Sequence, residues 1–131
     1  MRFFAGLLLI MLINFPFYYF LPDWWWGAAI VAAVIGFGLQ LNSYLSFLCG
    51  GLALGIFYGA MAYWSDAING SMLSEKMAQV IPVGSGQNLL IAVILIYFIL
   101  GGLSMLSAKL LRDLVSGPIK KPSKKGRGKY R

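Results

Sequence analysis

The chain has 131 residues, 60% of them hydrophobic and only 11% charged, with a mean hydropathy of +0.77 and a net charge of +7. A soluble domain carries about 25% charged residues, so this composition excludes an ordinary soluble globule and points to one compact bundle in a membrane. With no histidine, a single cysteine (Cys49) and four acids (Asp23, Asp66, Glu75 and Asp113), an intrachain disulfide is excluded, a His/Cys metal site lacks ligands, and no cofactor is expected.

The first apolar run, RFFAGLLLIMLINFPFYYFL, has the basic start of a signal peptide. It has no small-x-small cleavage site, however, and continues through aromatics to Pro22, so it reads as a retained span over residues 3–21. Pro16 removes one backbone donor and frees the carbonyl of Leu12, which predicts a local bend. Asn14 is the one strongly polar side chain near the middle of a span. An unpaired amide in hydrocarbon is costly, so it needs a partner, either that freed carbonyl or a serine such as Ser104. The other reading of Asn14 is a polar path through the bundle.

Pro22 and Asp23 mark a turn, after which Trp24, Trp25 and Trp26 open a second span over 24–41. Three indoles in a row cannot share one helix face; they suit a membrane interface, with a ligand platform as the alternative. Gln40, Asn42 and Ser43 form an uncharged polar turn before a third span over 44–64. Within it, Gly51, Gly55 and Gly59 recur every four residues on nearly one face. Each weakens a helix by up to about 1 kcal/mol, yet absent side chains let helix backbones approach closely where lipid already satisfies large apolar groups. Candidate counterparts are Ala28 and Ala32, or Ala29 and Ala33, in the second span, and Gly101, Gly102, Ser104 and Ala108 in the fourth. The spacing fits packing within the chain, contact with another copy, or a lipid or ligand groove. Cys49 lies in the same apolar segment and reads as a small hydrophobe.

The one sizeable loop is SDAINGSMLSEKMAQVIPVGSGQ. Its Leu73, Met77, Val80 and Ile81 repeat with helical spacing opposite Ser74, Glu75 and Gln79, predicting a short amphipathic helix on the membrane surface. Asn69 and Ser71 are start signals and Pro82 a stop. Asp66, Asn69, Ser71 and Glu75 form a candidate outer polar site. In it Asp66 and Glu75 would hold a cation or a basic group while Asn69 orients it; the simpler reading of Asp66 is a solvated end to the third span. The fourth span, 88–111, ends in Lys109 and Arg112, whose long stems carry charge to the interface.

Residues 116–131 carry seven basic side chains and no acid, so they cannot bury enough apolar surface to fold alone and form a disordered tail beside a transmembrane domain of residues 1–115. Lys120, Lys121, Lys124, Lys125 and Arg127 suit contact with anionic lipid. A nucleic-acid partner is disfavoured, because Tyr130 is the only aromatic among these basic residues. With four spans, ten Lys and Arg residues fall on the side of the two termini and only Lys76 on the other, which orients both termini to the cytoplasm.

The stretch from Tyr63 to Pro82, with Trp64, Asp66, Asn69, Leu73 and Pro82, resembles an uncharacterised family of small bacterial four-span integral membrane proteins. The resemblance extends to the tryptophan-rich start of the second span and covers most of the hydrophobic chain, with the basic tail as an addition. It implies the fold and no activity. The expectation is therefore an all-α four-helix bundle in a bacterial cytoplasmic membrane, with no catalytic residues. Its role would be that of an accessory or scaffolding subunit whose partners are the bilayer and either other membrane subunits or itself. Two rivals are a homo-oligomeric channel or solute carrier using Asn14 and the glycine face, and an enzyme acting on lipid or cell-wall intermediates through Asp66 and Glu75.

Overall fold

Apolar runs of this length favour the one local conformation that satisfies every backbone donor and acceptor within its own segment. The computed structural model describes residues 1–21, 23–82 and 84–117, and among these the regular elements are all α-helices. They are α1 (Arg2–Phe20), α2 (Gly27–Gly38), α3 (Ser43–Ile68), α4 (Met72–Val80) and α5 (Gly86–Ser116). Pro22 and the tail residues Lys120, Lys121, Lys124, Lys125 and Arg127 lie outside the described residues.

Among the described residues three helices are long and apolar enough to cross a membrane: α1 with 19 residues, α3 with 26 and α5 with 31. Helices α3 and α5 run past the expected 44–64 and 88–111 at both ends. The second apolar segment is shorter than expected. Of residues 24–41 only twelve are helical, a rise of about 18 Å against a hydrocarbon core of about 30 Å. Trp24 and Trp26 belong instead to hydrogen-bonded turns, with Trp24 N–H donating to Leu21 and Gly27 N–H to Trp24. At the other end Gly36 and Gly38 weaken helix propagation, and Leu39 is already extended.

Contacts between helices fix the order of the bundle. Gly27 faces the Phe17 ring and Leu39 faces Gly6, so the α2 segment retraces most of α1 in the opposite direction. Helix α3 then runs parallel to α1, with Cys49 near the start of α1 and Ser65 near Tyr18. Helix α5 returns along α3, from Ile94 against Gly59 to Lys109 against Ser43. One end of the molecule therefore collects the start of α1, the α2–α3 connection and Lys109 and Arg112; we call it the basic end. The other collects Tyr18, the tryptophan turn, the end of α3, α4 and the start of α5; we call it the aromatic end.

The interior is built from small side chains and a few large ones. Ile10, Ala32, Cys49, Ala53, Leu54 and Met105 are fully buried, whereas Phe4, Leu8, Leu12, Ile91, Leu95, Ile96 and Ile99 are exposed. On α1 the buried residues are Gly6, Ile10 and Asn14, a narrow stripe at four-residue spacing. A surface of large apolar groups around a core of glycine and alanine is stable where the surrounding solvent is lipid.

Candidate functional site

The glycine face of α3 is occupied from within the chain. A methyl group added at Gly51 would sit 2.9 Å from both the ring and the carbonyl oxygen of Phe98, and one at Gly59 would meet the Ile94 side chain. At Gly55 it would lie 3.4 Å from the Ile94 carbonyl oxygen and from the Phe98 Cβ, which is ordinary contact. The closest approach of α3 and α5 involves a glycine outside that set. A side chain on Gly50 would overlap the Gly101 carbonyl, and one on Gly101 would overlap the Gly50 carbonyl. The signal for this crossing was in the sequence as two glycine doublets, 50–51 and 101–102; Gly101 was among the expected counterparts, but a four-residue rule starting at Gly51 passes over Gly50. Of the other candidate counterparts, Gly102 lies under the Phe47 ring, Ala28 and Ala32 are buried, and Ser104 turns back to bond the Leu100 carbonyl at 2.7 Å.

Asn14 is fully buried, and its amide finds neither of the expected partners. Its Nδ2 donates to the Ile10 carbonyl at 2.8 Å, one turn earlier on the same helix, while its Oδ1 has no partner among the described residues. The carbonyl four residues earlier is within reach of any short polar side chain in a helix, so the local bond wins over one across the bundle. Ser46 Oγ is likewise buried and has no partner among the described residues. Cys49 Sγ lies 3.6 Å from the Phe3 carbonyl oxygen in a fully buried position, so the thiol fills space between α1 and α3.

At the aromatic end the four polar residues expected to act together are divided. A cleft of about 290 Å³ opens between the ends of α1, α3, α4 and α5. Its polar wall is Tyr18, Ser65, Asp66, Asn69 and Ser74. Its apolar wall is supplied by Leu73 and Met77 of α4 and by Leu89, Leu90 and Val93 of α5. Asp66 and Asn69 share the cleft because they lie three residues apart in the last turn of α3. Ser71 and Glu75 do not line it. Ser71 instead makes the chain reversal: it adopts φ 58°, follows Gly70 at φ 63°, and donates its N–H to the Asp66 carbonyl. Glu75 is exposed in the first turn of α4, where a carboxylate complements the helix dipole. The α4 face turned inward carries Ser74, packed against Gly86, while Leu73, Met77, Val80 and Ile81 remain exposed.

Next to the cleft the aromatic side chains form a connected set. Tyr58 and Tyr97 stack at 4.1 Å with ring planes 3° apart, and Tyr18 meets both Phe57 and Tyr58 edge-on. Tyr18 also places its hydroxyl 3.4 Å from Ser65 Oγ. Trp24 stacks on Trp26 at 4.7 Å, with all three tryptophans of the run exposed.

The basic end holds a second polar arrangement that sequence reasoning missed. Lys109 Nζ pairs with Asp113 at 2.5 Å and donates to Ser43 Oγ at 2.9 Å, while Arg112 donates to the Leu39 carbonyl at 2.9 Å. Rather than reaching out to the interface, the two cations clasp the α2–α3 connection against α5, with side chains only 12% and 11% exposed. The four-residue spacing of Lys109 and Asp113 was the available signal; the carbonyl that receives Arg112 was not visible to it.

A broad groove of about 800 Å³ runs between α2 and α5. Ala29, Ala33, Ser104, Ser107 and Ala108 supply small side chains along it, flanked by larger ones such as Ile30, Phe37 and Leu111. Among the described residues no group of three or more His, Cys, Asp or Glu side chains is placed to hold a metal ion. Comparison with protein-family models, with curated proteins and with solved structures gives no match.

Proposed function

We propose that this chain is a four-span protein of a bacterial cytoplasmic membrane, with both termini in the cytoplasm, and that it serves without covalent chemistry as an accessory or scaffolding subunit. The α2 segment and its flanking turns make the second crossing, and α4 lies on the outer surface with its exposed apolar side chains in the interface. The ten Lys and Arg residues on the terminal side against Lys76 on the other support the orientation.

One observation carries the functional reading. The glycines of α3 are used in packing on α5, whereas the α2–α5 groove, with its small side chains, is left open along the membrane-facing surface. Alanines and serines between larger flanking residues form the relief into which a transmembrane helix of another subunit fits, since small residues allow the backbone approach that stabilises helix pairs in lipid. The groove, rather than the glycine face, is therefore the docking surface for a partner.

Site-directed crosslinking in intact cells tests this. With Cys49→Ala as background, Ala33→Cys and Ser107→Cys are expected to trap one discrete membrane partner, and Ile96→Cys on the lipid-facing side of α5 to trap none. Filling the groove with Ala108→Leu should remove the adduct. Labelling equal at groove and control positions, or unchanged by Ala108→Leu, would overturn the reading.

A further inference from the structure

We infer that the cleft at the aromatic end is a binding site for an amphiphile with a primary ammonium headgroup. Among the described residues no ion pair or side-chain hydrogen bond reaches the Asp66 carboxylate, although it is partly buried in a wall that is otherwise neutral. A carboxylate with no counter-charge beside it is open to pair with an incoming cation, and an N–H donor on a cation makes the stronger, charge-assisted kind of hydrogen bond to it. The C-terminal end of α3 adds its own negative partial charge at the same place. Among the described residues no cationic side chain lines the cleft, and Lys76 is exposed on α4.

The remaining features select the kind of cation. An ammonium carries three N–H donors, and the Asp66 carboxylate, the Asn69 amide oxygen and the Ser65 hydroxyl are three acceptor groups on one wall. A hard metal ion prefers six or more oxygen ligands with several carboxylates among them, and among the described residues Asp66 is the one acid in the lining. Opposite the polar wall, Leu89, Leu90 and Val93 form a strip that holds an alkyl or acyl chain. The depth fits as well. Trp64 and the tryptophan turn lie at this end, and such residues sit at the level of lipid headgroups, so an ammonium at Asp66 is at headgroup height with its chain pointing toward the bilayer interior.

The ligand's shared chemistry, an ammonium on an aliphatic chain, belongs equally to a membrane aminolipid and to a free long-chain amine. The test uses the full-length chain in phosphatidylcholine nanodiscs with three dodecyl probes that carry a photoreactive diazirine and differ only in headgroup: ammonium, hydroxyl or carboxylate. Peptides from the ends of α3 to α5 should be labelled several-fold more by the ammonium probe, and unlabelled dodecylammonium should suppress that labelling. Asp66→Asn should reduce the preference to the hydroxyl level, and Leu90→Trp should lower labelling by filling the cleft. Suppression in discs that contain phosphatidylethanolamine assigns the site to the aminolipid; labelling that persists there assigns it to the free amine. Equal labelling by all three headgroups, or a preference retained in Asp66→Asn, would overturn the proposal, and the wild-type headgroup comparison decides even if a variant fails to fold.

Discussion

Gly50 and Gly55 are five residues apart on α3, well over one turn, and their surroundings differ. At Gly50 a methyl group would press on a backbone carbonyl that cannot rotate away, and at Gly55 it would be in normal van der Waals contact. Gly50→Ala should destabilise the bundle by about 1–3 kcal/mol, the usual cost of overpacking, and more if α3 and α5 must separate. Gly55→Ala should lie within about 0.5 kcal/mol of the parent, because the better helix propensity of alanine offsets the crowding. Thermal unfolding of the two variants in mild detergent, followed by circular dichroism, checks the ranking; equal loss in both would refute it. Asn14 carries a related lesson. Its burial was legible from its place in an apolar run, but its partner was not, because a side chain two bonds long bonds its own helix as readily as a neighbour.

Among the elements, α2 shows how local weakness is repaired by tertiary contact. Twelve residues without a side-chain cap at their start make a marginal helix on their own. The segment is held at one end by the Gly27–Phe17 contact and at the other by Arg112 bonding the Leu39 carbonyl. Removing that guanidinium leaves a half-buried carbonyl without its donor, so Arg112→Ala should cost about 1.5–3 kcal/mol, the range for hydrogen bonds to charged groups. Faster hydrogen exchange should appear first at the α2–α3 connection, and α1 should be little affected. Uniform acceleration across all helices would mean that Arg112 acts on global stability instead. The amphipathic pattern that predicts α4 places it between Asn69 and Pro82, and the helix is Met72–Val80. What the pattern cannot supply is that Ser74 is the residue turned inward, since this depends on Gly86 leaving room for it.

For the whole molecule, the asymmetry of charge predicts its orientation. Reporter fusions at either terminus should be active as cytoplasmic proteins and inactive as exported ones, and an insertion at Gly70 should show the reverse. Termini on opposite sides would mean that the α2 segment does not cross.

The membrane solvent, the helical class and the approximate limits of three long helices were set by the sequence itself, because hydropathy over twenty residues and the need to satisfy backbone polar groups in lipid act locally. Which small residues meet and which cations turn inward were decided only when α5 packed on α3 and on the α2–α3 connection. Glycines at one spacing fit several neighbours equally well, and the choice among them rests on steric fit between segments about fifty residues apart in the chain, such as Gly50 and Gly101.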